Sequence, residues 1–171
     1  LSLDNVKLST NACALFPQGD AAKVVCNNSE IAAGAYAVAT NASNSGNYGV
    51  VIELNNSSFT AMSAVFVNVP CKLDMEKCTV NGSMHGVVVR GGTAVINNSN
   101  ITMKYEDDDA QDMAKYFKDR NWGTGNMLNL AAVTVGNKHT TSYQYLSDVT
   151  IKNSTVQTAG TNASLFPALY S

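Results

Sequence analysis

Apolar and polar residues alternate in short runs that return at nearly regular intervals along the 171 residues. Six hexapeptides align: Leu3-Asp4-Asn5-Val6-Lys7-Leu8, Cys26-Asn27-Asn28-Ser29-Glu30-Ile31, Leu54-Asn55-Asn56-Ser57-Ser58-Phe59, Met75-Glu76-Lys77-Cys78-Thr79-Val80, Ile96-Asn97-Asn98-Ser99-Asn100-Ile101 and Ile151-Lys152-Asn153-Ser154-Thr155-Val156. The third residue is Asn5, Asn28, Asn56, Asn98 and Asn153, with Lys77 breaking the series, and the steps are 23, 28, 21, 21 and 55 residues. Three apolar columns flank it. Leu1, Val24, Ile52, Leu73, Ala94 and Val149 lie four before; Leu3, Cys26, Leu54, Met75, Ile96 and Ile151 two before; Leu8, Ile31, Phe59, Val80, Ile101 and Val156 three after. The first two columns have the period of a strand, whereas the change of parity across the Asn marks a bend.

A fixed period decides architecture before any local propensity does. Parallel strands about 4.8 Å apart would stack like residues, so the Asn side chains would form a structural ladder, and Asn tolerates the left-handed backbone of a sharp corner. A second strand recurs about nine residues after the corner, at Ala14-Leu15-Phe16, Ala37-Val38-Ala39, Val65-Phe66-Val67 and Gly86-Val87-Val88-Val89. These columns predict an all-β chain: a right-handed parallel β-helix solenoid of about six coils. An antiparallel sandwich would call for hairpin turns, but Asn81-Gly82 is the single Asn-Gly or Asp-Gly dipeptide. The Gly-Gly-x-Gly-x-Asp signature of calcium-binding rolls is absent.

Two stretches depart from the repeat. One is the small polar loop from Ala39 to Gly49. The other is an insertion over about 102–129, in which Glu106 to Arg120 reads as a helix. Acidic residues load its N-terminus, Lys118 and Arg120 its C-terminus, and Ala110, Met113, Ala114 and Phe117 form a stripe. Tyr105, Tyr116, Trp122, Tyr143 and Tyr145 either pack this insertion down or form a ligand-binding wall, since planar rings with polar tips suit sugar faces as well as cores. The Glu106 to Asp109 run is explained by N-capping; calcium is the alternative, although adjacent carboxylates cannot all turn to one ion. No other cofactor is implied.

Composition fits a single domain over residues 1–171, with 45% hydrophobic and 14% charged residues. A net charge of −2 with scattered Lys and Arg gives nucleic acid no counterion-release footing. No apolar run approaches the roughly 20 residues of a membrane span. The strand-like start at Leu1 without Met points to a fragment of a longer protein, and Asn-Ser-Thr-Ala-Gly-Val richness to an exported bacterial surface protein. Cys13, Cys26, Cys71 and Cys78 are expected as free thiols. Cys71 and Cys78 would lie about 23 Å apart along one extended segment, against the roughly 7 Å a disulfide spans. Nine Asn-x-Ser/Thr sequons follow from the corner composition and carry no meaning in a bacterium.

With its Asn corners and apolar columns, the chain resembles the pectate-lyase-like superfamily of right-handed β-helices over nearly all of residues 1–160. That resemblance implies a fold shared by pectin lyases, polygalacturonases, phage tailspikes, carbohydrate-binding domains and adhesins, and fold alone does not choose among them. The polygalacturonase-like hydrolases carry paired aspartates before Gly-His-Gly and Arg-Ile-Lys elements. Here Met84-His85-Gly86 and Arg90 match the later elements faintly, and the aspartates are missing. Lyase-like elimination would need aspartates on neighbouring coils, and Asp74 and Asp148 fall near equivalent positions two coils apart. His85 and Arg90 are the best isolated catalytic candidates, with a surface pair on a valine-rich strand as the simpler reading; His139 beside Lys138 is weaker. The expected function is a non-catalytic extracellular module, in adhesion or binding of a carbohydrate or host-surface ligand. The alternatives are a polysaccharide-processing enzyme and a structural spacer.

Overall fold

The computed structural model describes residues 1–19, 21–40, 49–106, 130–136, 146–161 and 166–171. The described chain is all-β. In the order of the six sequence repeats, the first holds β1 (Ser2–Asp4), β2 (Lys7–Thr10) and β3 (Cys13–Leu15), and the second β4 (Lys23–Asn27), β5 (Glu30–Ala33) and β6 (Tyr36–Ala39). The third holds β7 (Val50–Asn55) and β8 (Ser58–Val67), and the fourth β9 (Cys71–Glu76) and β10 (Thr79–Val89). The fifth holds β11 (Gly92–Asn97), β12 (Asn100–Tyr105) and β13 (Ala131–Val135), and the sixth β14 (Ser147–Lys152), β15 (Thr155–Gly160) and β16 (Leu169–Tyr170).

Each described pairing is parallel and joins a strand to its equivalent in the neighbouring repeat. One sheet runs β1-β4-β7-β9-β11-β14, and the other runs β15-β12-β10-β8-β5-β2. A third run of strands is attached to the second sheet: β3 pairs β6, β6 pairs the later part of β8, and β13 pairs β10 and β16. The three apolar columns lie between these layers. Ile52, Leu54, Phe59, Leu73, Val80, Ile96 and Ile101 are all fully buried in one continuous core. Parallel strands covered on their inner face in this way draw their cohesion from column-on-column packing.

The corner between the two sheets has one backbone conformation in all six repeats. Asn5, Asn28, Asn56, Lys77, Asn98 and Asn153 have φ between 46° and 55°. Asparagine visits this region at low cost, whereas an ordinary L-residue such as Lys77 is strained there by roughly 1–2 kcal/mol. The side chains link neighbouring repeats, though not as one straight column. Asn56 Nδ2 donates to Asn28 Oδ1 at 2.8 Å, but Asn28 donates to Asp4, Asn98 to Glu76 and Asn153 to Asn97. The residue before the corner therefore shares the ladder.

A second ladder follows the corner. Ser29, Ser57, Ser99 and Ser154 each donate from Oγ to the carbonyl two residues back, at 2.6–2.8 Å. Each Oγ also accepts the backbone N–H of the preceding repeat, from Val6, Ser29, Cys78 and Ser99, at 3.0 Å. Buried backbone donors at a bend need such partners. The Asn-Asn-Ser triplets at 27–29, 55–57 and 97–99 are the sequence trace of this column.

The insertion starts later than its expected boundary. Residues Thr102 to Tyr105 complete β12 and pair with Gln157 to Gly160 of β15, so the chain leaves the sheet only after Tyr105. The helix expected over 106–120 lies almost wholly outside the described residues, as do Tyr116, Trp122, Tyr143 and Tyr145. All four cysteines are free thiols, with Cys26, Cys71 and Cys78 buried.

Candidate functional site

The third run of strands carries the unusual chemistry. Along it, two consecutive residues face the core: Ala37 and Val38, Ala64 and Val65, then Ala132 and Val133. Gly86 takes the small position in this series, because a Cβ there would sit 2.4 Å from Ile101 Cγ2 and 2.7 Å from the carbonyl oxygen of Ala132. Two inward residues in succession break the alternation of a strand. The flanking columns, Tyr36-Ser63-His85 and Ala39-Phe66-Val88, are thereby both turned away from the main core. A separate apolar cluster of Ala35, Tyr36, Ala39, Phe66 and Val88 forms there.

A polar network is set into this cluster. His85 Nδ1 lies 2.9 Å from Ser63 Oγ on the neighbouring strand. Arg90 Nη1 donates to Asn68 Oδ1 at 2.7 Å, and the Asn68 backbone N–H donates to Thr40 Oγ1 at 2.7 Å. The Arg90 guanidinium stands 5.4 Å from the centre of the Phe66 ring, which itself meets Tyr36 at 5.2 Å between centroids. A cation over an aromatic face in a dry site is stabilised by roughly 2 kcal/mol.

His85 and Arg90 are not the exposed pair that their strand pattern implies: they are 2% and 1% exposed. Burial pulls the Arg90 guanidinium down to about 10, an effect that Tyr36 partly opposes, so it remains a cation at neutral pH. A buried imidazole on a serine hydroxyl is the chemical skeleton of a base and a nucleophile, and a buried Arg can equally be a packing and positioning device.

The described carboxylates lie elsewhere. Glu53 and Asp74 are partners across β7 and β9, each in an ion pair with a lysine, Lys23 and Lys72 respectively. Asp148 pairs in register with Thr93, while Asp74 pairs with Val95, so the two aspartates considered for elimination belong to different columns. Among the described residues no group of three His, Cys, Asp or Glu is placed to hold a metal ion. Of the five aromatic residues read as a binding wall, Tyr105 is described: it is 8% exposed, with its ring 4.8 Å from that of Phe166.

A groove of about 390 Å³ follows the corner, lined by Asn5, Asn28, Asn56, Lys77, Glu30 and Thr79 among others. It presents amides, a lysine and a carboxylate at the ~4.8 Å strand repeat. Compared with known proteins, the chain matches no protein family, no curated protein and no solved structure.

Proposed function

We propose that the chain is a right-handed parallel β-helix of the pectate-lyase-like kind, and that it serves as a non-catalytic module on the outside of a bacterial cell. The parallel pairing of every described repeat with the next is the observation that supports the coil reading. Crossover connections between parallel strands of one sheet are right-handed in about 98% of cases. In this reading the repeats are scaffold, and the segment between Tyr105 and Leu130 is the binding element, taking a carbohydrate or host-surface ligand with Trp122 as an anchor.

Two features support binding over catalysis. Of the described acids, Glu30, Glu53, Asp74 and Glu106 are held in ion pairs, and Asp4 and Glu76 in corner hydrogen bonds. The polar network around His85 is closed off from solvent. A glycan array tests the proposal: the full chain binds a defined subset of glycans, and Trp122→Ala lowers that binding at least about tenfold, a loss of ~1.4 kcal/mol. Polysaccharide cleavage that disappears in His85→Ala would instead support the enzyme reading and overturn this one.

A further inference from the structure

We propose that the exits of three successive strands in the third run form a closed site for one small inorganic anion of the halide class, held by Thr40, Asn68 and Arg90. These residues directly follow β6, β8 and β10. Parallel pairing of those strands brings them together on neighbouring rungs. Their backbones are tied in the same way: the Thr40 N–H donates to the Phe66 carbonyl at 3.0 Å and the Arg90 N–H to the Val67 carbonyl at 2.8 Å. Thr40, Asn68 and Arg90 are 3%, 0% and 1% exposed, so their polar atoms have to be satisfied inside the fold. The inference is independent of the ligand-binding reading above.

The donors and acceptors at these exits do not balance. Arg90 Nη1 lies 2.7 Å from the Asn68 side-chain oxygen. A guanidinium only donates, so the amide atom that faces it has to be Oδ1, and the orientation of the amide is fixed. Asn68 Nδ2 is left buried and without a hydrogen-bond partner. Thr40 adds a second donor. Its Oγ1 accepts the backbone N–H of Asn68 at 2.7 Å and that of Val69 at 3.3 Å, which uses both lone pairs. The hydroxyl proton is left to donate, and among the described residues no acceptor receives it.

A buried donor without an acceptor is costly, and native interiors supply one from protein, water or an ion. The balance of groups decides which. A water accepting from Asn68 and Thr40 would bring two further protons into a place already rich in donors. A halide brings lone pairs alone, together with the negative charge that a desolvated guanidinium attracts. Arg90 remains a cation at neutral pH. The Phe66 ring beside it, packed on Tyr36, keeps the surroundings apolar and so strengthens that attraction. One ion bonded to Thr40, Asn68 and Arg90 ties three repeats together where the chain leaves the third run.

To test this, the full chain is unfolded and refolded in sodium methanesulfonate, whose anion is bulky, so that no halide is carried over. Sodium chloride or bromide then replaces that salt at constant ionic strength. The thermal midpoint should rise saturably, by about 5–10 °C once the halide exceeds its dissociation constant about a hundredfold. Asn68→Asp keeps the oxygen that accepts from Arg90 and puts a carboxylate oxygen in place of Nδ2, so the chain carries its own anion. Without halide its midpoint should exceed that of the parent chain, and added halide should not move it. Crystals grown in bromide should show an anomalous-scattering peak within hydrogen-bonding distance of Asn68 Nδ2, and Asn68→Asp should lack it. A parent midpoint that ignores halide overturns the proposal, even with bromide in the crystal, because that is binding at crystal concentration only. A water at the site in bromide crystals overturns it as well, and so does a halide response that survives in Asn68→Asp. Should that variant fail to fold, the parent titration and the position of bromide decide the matter.

Discussion

His85 Nδ1 lies 2.9 Å from Ser63 Oγ, between side chains that are 2% and 0% exposed. Removing one member of a buried polar pair leaves the other desolvated, at a cost of roughly 1–3 kcal/mol. Ser63→Ala is therefore expected to lower the chemical denaturation midpoint with an unchanged m-value. A midpoint equal to that of the parent chain would mean that the pair contributes nothing to stability.

The corner carboxylate gives a pH dependence. Glu76 accepts from Asn98 at 2.9 Å and from Asn97 at 2.8 Å. These bonds, that from Asn98 foremost, hold its carboxyl below the ordinary 4.5. A depressed carboxylate stabilises the fold above its unfolded value, and that contribution is lost as pH falls through the folded one. Thermal melts should weaken as the pH is taken below about 4.5, and Glu76→Gln should flatten this part of the curve. An identical acid limb in the variant would exclude Glu76 as a contributor.

Lys77 has the same φ of 54° that asparagines supply at the other corners. Its side chain is exposed, so replacing it tests backbone strain with little loss of packing. Lys77→Gly and Lys77→Asn should both raise stability by about 0.5–1 kcal/mol. Lys77→Val should lower it. A gain on Val would contradict the left-handed corner.

Burial raises the thiols of Cys71 to about 12 and of Cys13 and Cys78 to about 11, from an ordinary 9.0. A raised thiol favours the folded chain fully below the unfolded value, and this preference is lost as pH rises. Stability should thus decline from about pH 9 towards pH 11–12, and Cys71→Ala should shift the alkaline limb. At pH 8 a thiol reagent should label Cys71 and Cys78 only as fast as the chain opens, with all four cysteines reacting in denaturant. Rapid labelling of Cys71 in the native state would contradict its burial.

The corners were legible because one residue type marks them: asparagine at φ near 50° leaves a direct trace in the sequence. Lys77 was visible as a break in that trace, yet the neighbouring repeats impose the same backbone on it. The apolar columns were legible through their parity. The site was much less so. His85 and Arg90 read as outward residues on a valine strand, and they do turn away from the main core. Whether an outward column is also covered depends on residues distant in sequence, which no local period encodes. The double inward step at Gly86 and Val87 is a further cause, since it moves His85 and Val88 onto one side in a way strict alternation does not anticipate. The serine ladder leaves no apolar period in the sequence, because Ser29, Ser57, Ser99 and Ser154 act on backbone atoms of adjacent repeats. Asp74 and Asp148 look equivalent by counting, and only the strand register separates them.

The hydrogen bond from the Ser99 N–H to Ser154 Oγ spans 55 positions, whereas the equivalent bond from Cys78 to Ser99 spans 21. Closure entropy grows only with the logarithm of segment length, so the longer excursion costs about 0.9 kcal/mol more than the shorter one. That is no more than a single backbone hydrogen bond contributes, roughly 0.5–1.5 kcal/mol. The junctions after Tyr105 and after Gly136 together are therefore thermodynamically inexpensive, and lengthening either one is expected to leave the strands on both sides in register.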